Sequence, residues 1–198
     1  MNIQEAPKNT PFPLFENWFA EAKKHDPDYY NGMTIATTNA ENKPSNRVVL
    51  LKEFDEQGFV FYTNYNSRKG IELKHAPYIS ANFWWSHFQR QIRIEGTVEK
   101  ISEEQSTRYF LSRPRGSQLA AIASAQSQPI ESFAALEKQY QDTVKKFDDK
   151  TLEKPAHWGG YRIIPDYIEF WQGLEHRLHY RLIYRRTDSG WATEYLQP

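Results

Sequence analysis

Short strand-like segments separated by turn residues are the feature that most restricts how this sequence can fold. Residues 46–54 are rich in Val and Leu, residues 55–58 (Asp-Glu-Gln-Gly) form a turn signal, and residues 59–63 resume the strand pattern. This arrangement predicts a β-hairpin. Further strands are predicted at residues 33–38, 79–85, 90–101, 161–164, 167–171, 177–185 and 191–196. Several short strands joined by turns indicate a barrel or sandwich rather than a βαβ fold.

Helical patterns flank these strands, which makes the predicted class mainly β with flanking α-helices, α+β. Apolar residues recur at helical spacing, or helix-capping signals occur, at residues 13–24, 67–74, 102–111, 117–124 and 130–147. Residues 1–12 are polar and rich in proline, which predicts a flexible N-terminal arm. We therefore expect an arm at residues 1–12 and a single domain at residues 13–198.

Composition excludes several classes of function. The 198 residues carry 25 Lys and Arg against 25 Asp and Glu, so net charge favours neither a nucleic acid nor a membrane surface as partner. The absence of cysteine rules out disulfides, thiolate nucleophiles and Cys-ligated metals. No apolar run approaches the roughly 20 residues of a membrane span, and the N-terminus lacks a signal-peptide pattern. We expect a cytoplasmic protein.

The segment from Phe170 to Arg181 concentrates hydrogen-bond donors. If residues 177–185 form a strand, Arg177, His179 and Arg181 project from one face. Such a face suits an anionic, planar ligand, because Arg offers a fixed fork of donors and His can hold or pass a proton. Internal carboxylates are an alternative partner for these cations, and a solvated strand face is another.

A second candidate site follows the strand that ends at Thr63. Ser67 is suited to cap a short helix, so Arg68 and Lys69 would lie at its positively polarised N-terminus. Cations are unfavourable there, and a bound phosphate would relieve the conflict. Two exposed surface cations are an equally weighted alternative.

A third candidate site comprises Tyr109, Arg113 and Ser117. Tyr109 and Arg113 are four residues apart and share a face of a predicted helix, and Ser117 follows a turn. A phenol, a guanidinium and a hydroxyl in one place suit a second phosphate, although a basic turn without a ligand explains the same residues.

The strand at residues 46–54 carries two separate cations. Arg47 and Lys52 are five residues apart and face opposite sides of an unbroken strand, so they either serve two ligands or end the strand in solvent. The histidines do not suggest a metal site, because no carboxylate cluster completes a ligand set around His176 and His179.

Taken together, these segments resemble the pyridoxine (pyridoxamine) 5′-phosphate oxidase family from about residue 30 to the C-terminus. The resemblance rests on Arg47-Val48-Val49-Leu50-Leu51-Lys52, Phe61-Tyr62-Thr63-Asn64, Ser67-Arg68-Lys69, Arg90-Gln91, Tyr109-Phe110, Ser112-Arg113-Pro114-Arg115-Gly116-Ser117-Gln118, Phe170-Trp171-Gln172-Gly173 and Arg177-Leu178-His179. It implies an FMN-binding split β-barrel and a homodimer with two FMN sites in the subunit interface. It also implies oxidation of pyridoxine or pyridoxamine 5′-phosphate to pyridoxal 5′-phosphate, with oxygen reduced to hydrogen peroxide.

The resemblance also implies roles for individual residues. FMN would be held, partly from a second subunit, by Arg47, Val48, Val49, Leu50, Leu51, Lys52, Tyr62, Thr63, Arg68, Lys69, Gln91, Gln126, Ser127, Trp171 and Arg181. The substrate phosphate would meet Lys52, Tyr109, Arg113 and Ser117. Arg177 and His179 would lie over the pyridine ring as substrate-binding and catalytic residues.

Two positions depart from the family pattern. Tyr180 stands where the family usually has Asp, and Leu174 stands where well-known members often carry Gly or a polar residue. At Tyr180 we expect altered packing or a lost partner for an Arg, and at Leu174 a change in access to the ring or in substrate preference, with the chemistry retained. The alternatives to the oxidase are another split-barrel flavoprotein, such as a flavin reductase, and a non-catalytic binder of FMN or pyridoxal phosphate.

Overall fold

Eight antiparallel strands form one continuous sheet in the computed structural model, which describes residues 1–198. The strands are β1 (Gly32–Thr38), β2 (Pro44–Asp55), β3 (Gly58–Asn64), β4 (Tyr78–Trp85), β5 (Arg90–Lys100), β6 (Trp158–Gln172), β7 (Tyr180–Thr187) and β8 (Gly190–Tyr195). Their order is β3-β2-β1-β4-β5-β6-β7-β8, and an additional β3–β6 pairing closes the first six into a barrel. The predicted class, mainly β with flanking helices in a split β-barrel, is confirmed.

Five helices flank the barrel. They are α1 (Phe12–His25), α2 (Arg68–His75), α3 (Glu103–Ser112), α4 (Arg115–Ala123) and α5 (Phe133–Lys146). Serine side chains accept hydrogen bonds from backbone N–H groups at the starts of α2, α3 and α5, as capping requires. None of the five is both long enough and apolar enough to cross a lipid bilayer.

Strand β6 changes partner along its length. Its first half, residues 158–163, pairs with β3, whereas residues 167–172 pair with β7, and β5 runs beside both halves. The change occurs around Pro165, which has no N–H to donate to a ladder. The prediction of two strands at residues 161–164 and 167–171 was therefore wrong, because β5 keeps both segments in one continuous strand.

A glycine makes room for this change of partner. The β5–β6 register shifts between Glu95 and Gly96. A Cβ atom on Gly96 would lie 2.1 Å from the carbonyl oxygen of Ile164, which is far inside contact distance. The close approach of two backbones therefore requires glycine at this position.

Helix α1 packs an aromatic face against the barrel. Phe15 is fully buried and meets Phe54, Phe59 and Phe83 edge to face, with ring centroids 4.8, 4.9 and 5.6 Å away. Trp18 is also buried and meets Phe170 of β6. These contacts use the edge-to-face geometry that aromatic rings prefer, and they attach the helix to strands β2, β3, β4 and β6.

A smaller apolar cluster attaches the middle helices to the barrel. It comprises Phe110 of α3, Leu119 of α4, Leu152 and Trp158, the first residue of β6. Because this cluster is separate from the main core, α3 and α4 stand over one side of the barrel and enclose space between themselves and β2 and β3.

The N-terminal residues follow a packed course, which differs from the predicted flexible arm. Ile3 lies in a short 3₁₀ helix capped by Asn2 and is 1% exposed. The Tyr184 hydroxyl donates a hydrogen bond to the carbonyl oxygen of Pro7 at 2.7 Å. Ile3 and Ala6 are therefore buried although the segment is mostly polar. The division into residues 1–12 and one domain at residues 13–198 stays a prediction.

The packing of Ile3 can be tested by truncation of its side chain. We expect Ile3→Ala to lower the free energy of unfolding by about 2–4 kcal/mol, because it removes buried methyl groups and leaves a cavity. Urea denaturation measures this loss, with the exposed neighbour Gln4→Ala as control. Equal stability of the two variants would show that the segment does not pack against the barrel in solution.

Candidate functional site

A cavity of about 640 Å³ lies between the barrel and helices α3 and α4. Strands β2 and β3 form its floor, and Lys69 of α2 enters from one side. The predicted site residues that line it are Val48, Val49, Leu50, Lys52, Tyr62, Thr63, Lys69, Tyr109, Arg113, Ser117 and Gln126. The structure therefore brings together in one cavity most of the residues that the sequence assigned to two separate phosphate-binding sites.

One polar cluster in the cavity consists of Lys52, Tyr109, Arg113 and Ser117, here called the Lys52–Ser117 cluster. Burial lowers the pKa of Lys52, and the nearby Arg113 guanidinium lowers it further. The Nη1 atom of Arg113 is buried and has no hydrogen-bond partner. Two cations held close together without a carboxylate favour an anionic ligand, which would supply the missing partner.

Arg113 reaches this position by a different route from the one that the sequence suggested. Helix α3 ends at Ser112, so Arg113 has extended backbone and does not share a helix face with Tyr109. Its guanidinium instead stacks over the ring of Trp158, 4.8 Å from the centroid. Ser117 lies in a helix as predicted, although α4 begins at Arg115, two residues earlier than expected. The tertiary fold, rather than helical spacing, brings the group together.

Three nearly parallel aromatic rings form one wall of the cavity. Tyr62 stacks on Tyr109 with centroids 3.8 Å apart, and the Trp158 ring lies beside this pair, 5.4 Å from Tyr62 and 6.2 Å from Tyr109. The Tyr62 hydroxyl donates to Oε1 of Glu53 at 2.8 Å, while Gln105 donates to Oε2 at 2.9 Å. Burial and this carboxylate raise the pKa of Tyr62, so its hydroxyl stays protonated.

A second polar group lies where β3 ends and α2 begins. The Lys69 ammonium is buried and lies 3.2 Å from Thr63 Oγ1, 3.3 Å from Ser67 Oγ and 3.4 Å from Gln126 Oε1. Burial lowers the pKa of Lys69, with Arg47 adding to the effect and Glu72 opposing it. Only neutral oxygens contact this ammonium directly, which leaves its charge for an anion.

Arg47 and Arg68 lie outside the cavity wall and bind an internal carboxylate, Glu72. Arg47 Nη2 is 3.2 Å from Glu72 Oε2, and Arg68 Nε is 2.9 Å from Oε1. Arg47 and Lys52 do point to opposite sides of β2, since Lys52 faces the cavity. The unfavourable placement of cations at the start of α2 is thus relieved within the chain, by the residue one helical turn after Arg68.

Two other predicted residues also lie away from the cavity. The Leu51 side chain is buried in the barrel core, so only its backbone is available to a ligand. Ser127 is exposed and has a left-handed backbone, with φ of 69°, just after Gln126.

Four of the five remaining predicted residues, Gln91, Trp171, His179 and Arg181, form a patch on β5, β6 and the start of β7, here called the β5–β7 patch. Gln91, Trp171 and Arg181 are direct neighbours across the three strands, and the His179 ring lies 4.6 Å from the ring of Trp171. None of the four lines the cavity of the same chain. In one chain, the predicted site residues therefore lie on two separate surfaces, the cavity and the β5–β7 patch.

The strand face proposed for Arg177, His179 and Arg181 is wrong. Strand β7 begins only at Tyr180, and Arg177 lies in a 3₁₀ turn formed by residues 175–177. His176 and Arg177 both have left-handed backbones, with φ of 56° and 60°. Two such non-glycine residues in succession interrupt any strand, at a cost of roughly 1–2 kcal/mol each.

The fold orients two side chains of this region by hydrogen bonds. The Leu174 backbone N–H donates to Nδ1 of His179 at 3.1 Å, so a neutral His179 carries its proton on Nε2. Arg181 Nε donates to Oε1 of Glu169 at 2.7 Å, and this carboxylate is buried. The sequence left open whether Arg181 pairs with a ligand, an internal carboxylate or solvent. In the structure its partner is an internal carboxylate, Glu169.

Sequence reasoning missed four residues that support these groups: Glu53, Glu72, Trp158 and Glu169. Two of them left a detectable signal. Glu72 follows Arg68 by four residues, the spacing of a helical ion pair. Glu169 lies between the apolar Ile168 and Phe170, where a carboxylate needs a cationic partner. Nothing in the sequence placed Trp158 or Glu53 beside Tyr62.

The fold and the cavity define a class of protein, a split β-barrel with two cationic groups that suit phosphates in one cavity. No group of three or more His, Asp or Glu side chains is arranged to hold a metal ion. Family models agree with this class: residues 28–145 match the model described as pyridoxamine 5′-phosphate oxidase. Residues 158–198 match the pyridoxine 5′-phosphate oxidase C-terminal dimerisation region.

The chain belongs to the pyridoxamine 5′-phosphate oxidase family. It is 49% identical, over 95% of its length and 86% of the relative's, to a pyridoxine/pyridoxamine 5′-phosphate oxidase of Acaryochloris marina. It is 47% identical, over 100% of its length and 93% of the relative's, to the protein of that name from Chromohalobacter salexigens. The resemblance expected from the motifs is confirmed.

Solved structures share the fold. PhzG from Burkholderia lata, in complex with tetrahydrophenazine-1-carboxylic acid, superposes with a TM-score of 0.91 at 29% identity, covering 98% of this chain and 95% of that one. A pyridoxamine 5′-phosphate oxidase-related, FMN binding protein from Nostoc punctiforme has a TM-score of 0.76 at 17% identity, covering 96% and 98%. The second likeness shows the fold alone.

The ion pairs of Glu72 predict how stability depends on pH. Burial alone would raise the pKa of Glu72, but hydrogen bonds from Thr37, Arg68, Ser45 and Arg47 lower it to about 2. A carboxylate whose pKa falls on folding stabilises the protein above its unfolded pKa and loses this contribution as pH falls towards the folded value. The shift from 4.5 to about 2 corresponds to on the order of 3 kcal/mol.

We therefore expect Glu72→Gln to be less stable than the wild type at neutral pH, with a difference that shrinks between about pH 5 and pH 2. Urea denaturation across this range measures the difference. Glu104→Gln is the matched control, because Glu104 is exposed and pairs only with the surface residue Arg108. A pH-independent gap between Glu72→Gln and wild type would contradict the ion-pair assignment.

Proposed function

We propose that this protein is an FMN-dependent oxidase that forms pyridoxal 5′-phosphate from pyridoxine 5′-phosphate and from pyridoxamine 5′-phosphate. The alcohol and O₂ give the aldehyde and H₂O₂, while the amine also consumes water and releases ammonia. The observation that carries the proposal is one cavity with two cationic groups, because cofactor and substrate each bring a phosphate. We also propose a cytoplasmic location.

The residues present fit FMN. Lys69 offers a buried ammonium that contacts no carboxylate directly, beside Thr63 and Gln126, and would bind the cofactor phosphate. The exposed apolar side chains of Val48 and Leu50 would lie against the flavin. FMN, when bound, supplies the acceptor for the hydride leaving the substrate C4′ carbon and passes the electrons to oxygen.

The Lys52–Ser117 cluster would bind the substrate phosphate. Arg113 is held by stacking on Trp158, so its unpartnered Nη1 atom is already oriented. Tyr109 stays a hydrogen-bond donor because burial raises the pKa of its hydroxyl. Held at the phosphate end, the substrate would keep its C4′ carbon in position for hydride transfer, which lowers the entropic part of the barrier.

Arg177 and His179 would complete the site over the pyridine ring, from a second subunit. His179 would present its Nε2–H to the substrate, since Nδ1 accepts from Leu174. Arg177 would stabilise negative charge that develops on the ring oxygen. We infer a homodimer with the cofactor in the interface, because the β5–β7 patch and Arg177 do not line the cavity of their own chain. Residues 158–198, the region that matches the dimerisation model, supply three of the four patch residues.

The alternatives explain less of the site. A flavin reductase has no use for Lys52, Arg113 and Ser117 as a second phosphate pocket. A non-catalytic binder would be favoured by Tyr180 and Leu174, but the chain keeps Arg177 and His179, the two residues proposed to act on the substrate ring. The structure places Tyr180 opposite Gln172 at the start of β7.

An anaerobic titration tests the oxidase. We expect pyridoxine 5′-phosphate to bleach the absorption of the FMN-loaded protein, and air to restore it, whereas unphosphorylated pyridoxine does neither at equal concentration. Arg113→Gln should raise the KM for the phosphate ester by roughly 10- to 100-fold, the value of a charge-assisted hydrogen bond. Persistent colour despite tight substrate binding would indicate a binder, and a protein unable to take up FMN would refute the proposal.

Mixed dimers test whether each site uses two chains. We would prepare one variant with Lys52→Met and Arg113→Gln and another with Arg177→Ala and His179→Ala. Each alone should be nearly inactive, but random mixing should restore about a quarter of the wild-type sites, because half of the dimers are hybrids with one intact site. If mixing restores nothing, each site belongs to a single chain. If Arg177→Ala alone leaves turnover unchanged, its catalytic assignment is wrong.

A further inference from the structure

Glu72 is a buried carboxylate around which Arg47 and Arg68 are arranged, on the helix that also carries the cavity residue Lys69. Its side chain is 4% exposed. Oε2 accepts hydrogen bonds from the Thr37 hydroxyl at 2.5 Å and from Arg47, while Oε1 accepts from Arg68. The Ser45 hydroxyl lies 2.9 and 3.1 Å from the two oxygens. Both oxygens are therefore fully engaged within the chain.

The donors around Glu72 come from separate elements. Thr37 lies on β1, Arg47 on β2, and Arg68 on α2, so one carboxylate joins two strands and a helix. The Thr37 hydroxyl makes two hydrogen bonds, because it donates to Glu72 and also accepts from Arg47 Nη1 at 2.6 Å. These contacts form a closed network that holds the Arg47 guanidinium in a single orientation.

We propose that Glu72 is a positioning residue for the phosphate of the cofactor, holding Arg47 and Arg68 beside Lys69 so that the Nε–H of Arg47 and the Nη groups of Arg68, which have no partner within the chain, are available to it. This inference rests on the proposed function, and it assigns Glu72 a role without contact with cofactor or substrate. The opposite role is competition, in which the carboxylate occupies cations that the phosphate would otherwise bind.

Charge and exposure favour positioning over competition. Arg47, Arg68 and Lys69 carry three positive charges and Glu72 one negative charge, which leaves two to match a phosphate near −2. The Arg68 side chain is 60% exposed, and its only hydrogen bond is to Glu72. Without that bond, Arg68 would explore solvent, and ordering it again would weaken phosphate binding.

The two roles predict opposite signs for Glu72→Gln. We would titrate FMN and riboflavin, which lacks the phosphate, into the flavin-free full-length protein and follow the quenching of flavin fluorescence. Positioning predicts that FMN binds at least roughly tenfold more weakly to Glu72→Gln, with riboflavin affinity unchanged. Unchanged or tighter FMN binding would overturn the proposal, and so would an equal loss of affinity for both flavins.

A milder substitution keeps the test decisive if Glu72→Gln does not fold. Thr37→Val preserves all charges and most of the volume, but removes the hydroxyl that joins Glu72 to Arg47. It should weaken FMN by roughly threefold or more and spare riboflavin, whereas Thr38→Val, on the opposite strand face, should change neither. Equal FMN affinity in both threonine variants would overturn the proposal.

The wild-type titration separates this inference from the proposed function. If the wild type binds neither flavin, the proposed function itself fails. If it binds FMN more tightly than riboflavin while Glu72→Gln and Thr37→Val match the wild type, the oxidase assignment stands and the role of Glu72 is refuted.

Discussion

The change of partner along β6 is the constraint on which the rest of the structure depends. Its first half closes the barrel with β3, and its second half carries β7 and β8 away from the barrel. Trp158, at the start of the strand, anchors the helices that cover the cavity, whereas Trp171, near its end, lies in the β5–β7 patch. A single strand therefore separates two surfaces that the proposed chemistry needs together, and this separation is the reason that the proposed function includes a second chain.

Electrostatics divides the basic residues of the chain into two sets. Arg47, Arg68 and Arg181 bind buried carboxylates and are oriented by them. Lys52 and Arg113 have no carboxylate partner, and burial lowers the pKa of both. Because a buried cation without a counter-charge is unfavourable, the second set is suited to bind an anion, while the first set is already oriented by carboxylates of the chain.

The local elements were predictable because their signals lie within a few residues. The Asp-Glu-Gln-Gly turn forms the β2–β3 hairpin, and Ser67 and Ser102 cap α2 and α3. Errors arose where distant contacts override local pattern. β5 joins residues 161–171 into one strand, and two left-handed residues delay the start of β7 to Tyr180. The N-terminal segment is polar overall, yet Ile3 and Ala6 are buried.

The sequence by itself determined the family, the mainly β class and the types of residue in two phosphate-binding sites, because motif order and short-range periodicity are properties of the sequence. Only the tertiary structure decided how those residues are shared between surfaces. It placed Lys52, Lys69 and Arg113 in one cavity, turned Arg47 away towards Glu72, and left Trp171 and Arg181 on a separate patch. The physical reason is that strand pairing and buried ion pairs join residues far apart in sequence, and their geometry has no counterpart in local spacing.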